Sequence, residues 1–536
     1  MVGWSRRVPG GPGGRPGGRV ALAVLCAVLL LASCATSLAP PAGPQPWTQA
    51  YATDVIDTGY RYIADRYIEP VSLRRFAVTG LEGLKSVDPG LTVSESERFV
   101  DLSVAGARFA HLPAPKDDDA GGWAGLTVAA IDVARAYSAK LGAAESEVLF
   151  GTLFEAALGR LDTFSKYAGA ERARNARAQR VGFGGIGVSI RMDESEARVV
   201  EVIADTPAAE AGIVPDDRVV AVEGRPVAGW TQQTLVDALR GEPGAPVALT
   251  IRRNGQADSQ FRLVRRKIVP KTVHVEQRGP LPVVQVTSFN QRTAETLAEQ
   301  VRALRREQGA AMRGLVLDLR GNPGGLLDQA VELVDVFLDD GEIVATKGRH
   351  PRSQQRFTAT SGDALGGLPL VVLVNGGSAS ASEVVAAALQ DRGRGVVVGT
   401  NSFGKGTVQT VFRLPNDGEL TVTWSRLHAP SGYRLDGLGV LPTVCTHGGG
   451  QTPVSDDLLS ALRGGTAGAP AEVVRQWHAV TGVLPTDRDR LRSACPADAA
   501  APQADLEVAN ALVGDPALYA RTLRHAQVPR PADPRP

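Results

Sequence analysis

Three serines alternate with alanines in Gly377-Ser378-Ala379-Ser380-Ala381-Ser382-Glu383, between an apolar run that reads as a buried strand (369–375) and a helix from about 381. A turn of small residues at such a junction exposes one side chain at the helix N-terminus. There the helix dipole favours developing negative charge, and the next backbone N–H is placed to donate to an oxyanion. The chemistry would be attack by a serine hydroxyl. The same residues have a plainer use, because Ser380-Ala381-Ser382-Glu383 also matches a capping box with Ser at the N-cap and Glu at N3. Twenty-five residues after Ser380, Lys405 stands between Gly404 and Gly406, where a strand (395–400) ends and another (407–413) begins. On an extended segment Lys405, Thr407 and Gln409 share one face, so the Gln409 amide is placed to orient the lysine amine. An amine with a pKa of about 10.4 is protonated at neutral pH and becomes a base only when burial lowers that value. Serine with such a lysine is an accepted nucleophile–base pair.

Other ionisable residues read as structural. None of the seven histidines falls in these blocks. His428, in a strand-like segment, is the nearest alternative base and reads as an ordinary satisfied histidine. Asp318 and Arg320 flank a buried strand end and read as loop-fixing. Asp391, just after the serine helix, reads as a cap or ion-pair partner.

The elements that must position the serine and the lysine alternate from residue 280 onward: strand VVQVTSF, helix TAETLAEQVRALRREQ, strand GLVLDLR, helix LLDQAVELVDVFL, strand LVVLVN, helix SEVVAAALQD, strand GVVVGT. This is α/β layering on a largely parallel sheet. TVQTVFRL and ELTVTWS then read as a hairpin. Ahead of this core, residues 48–110 mix helical stretches and loops, with Tyr60, Ile63, Tyr67 and Ile68 as a core stripe. Residues 111–122 read as a loop and 123–161 as further helix. Beyond 446 the chain is Gly/Ala/Pro-rich with scattered helical signals.

Residues 181–268 carry short β-rich runs and one amphipathic stretch, WTQQTLVDALR. A Gly-rich turn, Gly182-Phe183-Gly184-Gly185-Ile186-Gly187-Val188, runs into a strand rather than a helix, which is wrong for a dinucleotide loop. With Thr206-Pro207-Ala208-Ala209-Glu210-Ala211-Gly212-Ile213 and Asp216-Asp217-Arg218-Val219-Val220-Ala221-Val222, the module resembles a PDZ domain of the bacterial protease type. The resemblance fits the physics. Successive N–H groups at Gly185, Ile186, Gly187 and Val188 form a nest for a peptide's terminal carboxylate, and the strand edge pairs with its backbone. Leu235 and Leu239, four apart on the helix, are expected to line the side-chain pocket.

Taken together, the serine and lysine blocks, Leu161-Asp162-Thr163-Phe164-Ser165-Lys166-Tyr167, the run Gly314 to Gly325 (GLVLDLRGNPGG) and Ala388-Leu389-Gln390-Asp391 resemble the carboxy-terminal processing peptidases, or tail-specific proteases, over roughly 160–445. The resemblance implies an α+β multidomain protein: a helical N-terminal region, a PDZ β-module and an α/β layered serine peptidase core of crotonase/ClpP-like type. It implies Ser380 as nucleophile rather than Ser378 or Ser382, Lys405 as general base and Gln409 as its positioning partner. It also implies an oxyanion hole from the N–H groups of Ala381 and of the Gly324-Gly325 turn. Three departures touch loop support: Thr163-Phe164 replaces a Pro-His, Asn401 replaces an acid before the lysine loop, and Pro442-Thr443 replaces Pro-Asp. No cofactor is implied, and no Cys/His cluster suggests a metal. The expected partners are proteins or peptides with free C-terminal tails, with a second copy or an adaptor protein as a further partner.

The 536 residues leave room for about three or four domains. Apolar residues make up 43%, charged residues 21% and aromatics 5%, ordinary for a globular chain but poor for stacking on nucleic acid. Of the net charge of +1, four arginines (6, 7, 15 and 19) fall in an acid-free N-terminus, so the remainder shows no basic excess for nucleic acid. That N-terminus reads as an export signal: a basic region, a short apolar run from Val20 to Leu31, and Leu31-Ala32-Ser33-Cys34, which resembles a bacterial lipobox with Cys34 lipidated. The run is short for a transmembrane helix. The expected division is signal peptide 1–33, Pro-rich tether 34–47, N-terminal helical domain 48–180, PDZ domain 181–268, peptidase core 269–445 and C-terminal extension 446–536. The expected place is the bacterial cell envelope, lipid-anchored on the extracytoplasmic side. Cys26 leaves with the signal, so in an oxidising compartment Cys445 and Cys495 either bond or stay as buried thiols. A PDZ lipoprotein scaffold without catalysis, and a crotonase-like acyl-CoA enzyme, are the competing classes. The scaffold has no use for Ser380, Lys405 and Gln409 together, and the lipobox and PDZ module fit poorly with CoA metabolism.

Overall fold

The computed structural model describes residues 45–526, apart from 105, 194–195, 254, 279–280, 361, 448–455, 466, 481–484 and 501–502. The export signal, Cys34 and most of the tether lie outside the described residues.

The site is built on a six-stranded sheet in the order Val273–Arg278, Leu281–Val286, Leu315–Asp318, Leu370–Val374, Val396–Gly399, Val444–Cys445. The first strand is antiparallel to its neighbour and the rest run parallel. Leu315–Asp318, Leu370–Val374 and Val396–Gly399 are buried at every position. A parallel sheet is stable only with both faces covered. Side chains alternate accordingly. Leu315, Leu317, Leu370, Val372, Val374 and Val397 face helices Thr293–Gln308, Leu327–Asp335 and Ala381–Asp391. Val316, Val371, Leu373, Val396 and Val398 face the other way, onto Leu462, Ala504, Val508, Ala509, Leu512, Val513 and Leu518.

These last residues belong to the segment whose helical signals looked scattered. Helices Asp456–Gly464, Gln503–Gly514 and Pro516–Ala526 form the second layer of the core. Cys445 and Cys495 are disulfide-bonded, with their Cα atoms 5.9 Å apart.

A second sheet runs Gln355–Thr358, Glu342–Lys347, Glu419–His428, Thr407–Arg413. The hairpin of its last two strands is the expected one; the first two strands were not anticipated. Lys166–Ala168, ahead of the PDZ module, adds to Glu419–His428.

Helices Gln49–Arg66, Leu73–Gly83, Ala120–Tyr137 and Ser146–Leu158 pack around Tyr60, Trp123, Phe150 and Phe154, with the Tyr60–Ile68 stripe buried as expected. Leu414, Leu420 and Val422 of the hairpin lie in the same core. Residues 91–113, read as helix and loop, instead form an antiparallel meander, Leu91–Glu95, Phe99–Val104 and Ala107–Pro113. Their alternating polar and apolar residues suit a half-buried sheet, a period-2 pattern that the flanking helical signals masked.

The PDZ module is a sheet ordered Ser259–Val264, Pro246–Arg252, Arg218–Val222, Glu196–Val202, Val188–Asp193, covered by helix Gln232–Leu239 over its own apolar core. Pairing of Phe183–Gly185 with Arg266–Ile268 closes its entry and exit.

Leu512→Ala should destabilise the protein by roughly 2–5 kcal/mol, because the cavity opens under Val371 and Leu373. Equilibrium denaturation checks this, and a change within error would mean the C-terminal layer is dispensable.

Candidate active site

The strand Leu370–Val374 delivers the chain to the serine turn, and helix Ala381–Asp391 begins immediately after Ser380. Ser378 and Ser382 are wholly buried and spent on scaffolding. The Ser378 hydroxyl donates to Leu319 O (2.8 Å) and accepts from Asn375 N–H (3.0 Å), while that of Ser382 donates to Asn322 O (2.9 Å). Ser380 alone of the three keeps partial exposure. Its backbone sits at φ 55°, ψ −110°. An ordinary N-cap is extended, so a simple cap does not explain this conformation. Serine in that region is strained, and strain of this kind is held in place at functional turns.

What holds it is Glu383. Its wholly buried carboxylate accepts from Ser380 N–H (2.7 Å), as the capping box requires. It also accepts from the Ser402 hydroxyl (2.5 Å), Gly404 N–H (2.6 Å) and Lys405 N–H (2.9 Å). The Ser402 hydroxyl in turn accepts from Val440 N–H (2.8 Å), which leaves its proton for Glu383. Ser380 N–H and Lys405 N–H bond the same carboxylate oxygen, so their nitrogens are closer than the two bonds end to end. Phe403 N–H donates to Ser378 O (2.9 Å), a second tie between the two loops. Burial pushes the Glu383 carboxyl upward, and the four converging donors oppose that. The sequence showed Glu383 only as a cap; its reach to residue 402 needed the fold.

Lys405 is partly buried, with its Nζ 5.1 Å from the centre of the Phe164 ring. Desolvation holds the amine below the ordinary lysine range, and the Lys166 charge adds to this. The Glu383 and Asp162 charges act in the other direction. The Ser380 hydroxyl and the Lys405 amine are not hydrogen-bonded to each other. Gln409 does not bond the lysine either, contrary to expectation. Its amide donates to Thr407 Oγ1 (2.9 Å) and Thr423 Oγ1 (3.3 Å), and Thr423 donates to Asp162 (3.2 Å). A register shift between Val408 and Gln409 interrupts the regular alternation on which that expectation relied.

The expected oxyanion donors divide. Gly324 N–H is committed to Asn322 Oδ1 (2.8 Å), so it is not the free donor. Phe289 bonds on either side of Gly325, to Gly324 O (3.1 Å) and from Leu326 N–H (2.9 Å), leaving Gly325 N–H and Ala381 N–H pointing at no backbone partner. The glycines are required by proximity. A Cβ on Gly324 would lie 2.9 Å from Ser380 Cβ, and one on Gly325 2.1 Å from Phe289 O.

His428 bonds only the nearby Gly432 O (3.3 Å), and Arg320 bridges Asp318 (2.7 Å) and Asp505 (3.0 Å), both structural as read. Asp391 holds Ser431 (2.6 Å).

In the PDZ module, Gly185, Ile186, Gly187 and Val188 line one side of a solvent-open groove. Leu239 lines the other side, but Leu235 does not. Leu235 turns into the module's core, and Gln232 and Val236 take its place, since positions 232, 236 and 239 share the helix face toward the groove. Gln232 spans the open edge of strand Val188–Asp193, donating to Ile190 O (2.8 Å) and accepting from Met192 N–H (2.9 Å). Arg240, at the end of the same helix, stacks its guanidinium 4.2 Å from the Phe183 ring centre and bonds Asn175 (3.1 Å).

Comparison with known proteins agrees with this geometry. Residues 281–446 match the profile of Peptidase family S41, and residues 198–253 that of a PDZ domain. A carboxy-terminal-processing protease of Bartonella bacilliformis is 41% identical over 287 residues, covering 53% of this chain and 66% of that protein. The carboxy-terminal processing protease CtpA of Bacillus subtilis is 33% identical over 285 residues, covering 53% and 60%. The chain thus spans less than two thirds of the length of these curated relatives. A solved photosystem II D1 C-terminal processing protease overlaps at 24% identity over 73% of this chain and 92% of that one, with a TM-score of 0.35, too low to argue from. With the S41 match lying on the Ser380 and Lys405 loops and the PDZ match on the groove module, residues 281–446 carry a Peptidase family S41 core beside a PDZ domain, and the chain is similar in both to the carboxy-terminal processing proteases.

Proposed function

We propose that this protein is a membrane-tethered, extracytoplasmic serine endopeptidase that takes protein C-terminal tails in its PDZ groove and cleaves by a Ser–Lys mechanism. The observation that carries the reading is Ser380, held at φ 55° on the same carboxylate that holds the Lys405 loop. In this mechanism the neutral Lys405 amine rotates from the Phe164 ring and takes the Ser380 proton as Oγ attacks the scissile carbonyl. Gly325 N–H and Ala381 N–H receive the developing oxyanion. The lysine ammonium then protonates the leaving amine, and water, activated by the same amine, releases the acyl group. Catalytic hydrogen bonds often close only when substrate is bound, and here substrate would also displace water from the amine. The Thr407–Gln409–Thr423–Asp162 network supports the strand that follows the lysine loop.

The full chain, incubated with an unstructured protein ending in an apolar tail, should cleave it. Ser380→Ala and Lys405→Ala should each lose at least about 10³-fold in kcat/KM. Tail binding without cleavage by all three would leave the scaffold reading standing. Because the base acts as the free amine, the rate should rise with pH through the lowered Lys405 value and level off below the ordinary lysine pKa of about 10.4. A rate flat from about pH 5 to 9 would remove the lysine from that role.

The groove yields a second test. A tail pairing with strand Val188–Asp193 must displace the Gln232 amide from Ile190 and Met192. Gln232→Ala should therefore tighten binding of a long C-terminal peptide, by roughly 3- to 10-fold if one net hydrogen bond is recovered. Weaker binding in a peptide titration would show that Gln232 contacts the tail instead. Tethering rests on the basic N-terminus, the apolar run and Leu31-Ala32-Ser33-Cys34. Expressed in bacteria with labelled fatty acid, the wild type should carry label in the membrane fraction, and Cys34→Ser should not. Label retained by the variant would reject the lipobox.

A further inference from the structure

The segment 492–500 lies outside the stretch matched to family S41, yet it touches both loops of the site. On the serine side, Asp498 O accepts from Gly376 N–H (2.7 Å), and Ala499 O and Ala500 O accept from the Asn375 amide (2.8 and 2.9 Å). The same Asn375 side chain accepts from Gly321 N–H (2.8 Å), which ties in the turn leading to Gly324-Gly325. A Cβ on Gly376 would sit 3.1 Å from the Asp498 backbone, so the turn is glycine where this segment passes. On the lysine side, Arg492 donates to Ser402 O (2.9 Å) and Leu438 O (2.5 Å), and Arg492 O accepts from the Asn401 amide (2.9 Å). Thr400 bonds Asp498 at both O (3.1 Å) and N (3.2 Å). Between these two sets of contacts stands Cys495, bonded to Cys445 at the end of the edge strand Val444–Cys445.

We propose that residues 492–500 are a positioning strap, stapled by Cys445–Cys495, that fixes the separation of the loops bearing Ser380 and Lys405, with Arg492 as the residue that sets the lysine loop. The proposal rests on the peptidase reading for its consequence and on the contacts above for its geometry. Glu383 joins the two loops from inside, and the strap joins them from outside. Arg492 suits the task because its planar fork bonds two carbonyls on different segments, Ser402 and Leu438, where an ammonium would act as a single point charge. Asn401 serves the same junction: its amide donates to the strap, which a carboxylate could not do.

The test uses the full chain with Arg492→Met, Arg492→Lys and the paired change Cys445→Ala with Cys495→Ala. Hydrogen exchange is followed in peptides spanning 375–380, 400–405 and the central strand 396–399, and kcat and KM are measured on the tail-bearing protein. Arg492→Met should speed exchange at 400–405 and lower kcat by roughly 10- to 100-fold, with KM within about two-fold, the signature of displaced reacting groups. Arg492→Lys should recover part of the loss. The cysteine pair should speed exchange in both loops while 396–399 stays protected. Unchanged exchange in both loops, or loosening of 396–399 along with them, overturns the strap. Loop exchange that responds as stated in a chain whose wild type cleaves nothing upholds the strap and rejects the peptidase reading instead.

Discussion

One buried carboxylate organises the site. Among the described residues no cation is bonded to Glu383; four donors from two stretches of chain satisfy it instead. A carboxylate in the interior is costly unless its lone pairs are filled, so the chain must bring Ser380, Ser402, Gly404 and Lys405 to it together or not at all. That requirement links the strained serine to the lysine loop without any direct bond between the two side chains. It also reconciles the two uses of the serine block. The capping contact from Glu383 to Ser380 N–H is real, and it is part of what keeps Ser380 out of the conformation an ordinary cap adopts.

The second constraint is the parallel sheet. Its central strands carry apolar side chains on both faces, so two helical layers are obligatory. One comes from the crossovers within 280–391, as in any such fold. The other comes from beyond residue 446, from helices that cover Val316, Val371, Leu373, Val396 and Val398. Between Leu462 and Ala504, both in that layer, the chain packs Trp477, Val480 and Leu491 on the opposite face, so its return passes the loops at the strand ends. Its contacts with Asn375, Gly376, Thr400 and Asn401 follow from that route.

The N-terminal region is joined to the site by the same economy of burial. Leu414, Leu420 and Val422 fill its core from the hairpin that begins two residues after Lys405. Arg177 and Arg180, on the helix Ala170–Val181 that leads into the PDZ module, both bond the nearly buried Glu419 of that hairpin (2.9 and 2.8 Å). Phe164, from the turn before this helix, supplies the ring beside the lysine amine. Lys405 thus stands just ahead of a strand fixed by elements nearly 250 residues earlier in the chain, though Ser380 precedes it by only 25.

Local pattern sufficed for much of this. The alternation of β-branched strands with amphipathic helices marked the parallel core, the Gly-rich turn together with the runs 206–213 and 216–222 gave the resemblance to a PDZ module, and the serine and lysine blocks, by their family resemblance, marked the candidate site. Each of these signals lies within a few residues of what it specifies. The meander at 91–113, the turning of Leu235 into the core, the diversion of Gln409 to threonines and the commitment of Gly324 N–H to Asn322 were decided only in three dimensions. In each case two or more local outcomes were sterically open, and the choice fell to a partner distant in sequence or to a register shift that propensity does not encode. The second face of the sheet is the largest such decision, because a string of weakly amphipathic helices acquires a definite place only when a bare apolar surface is there to receive it.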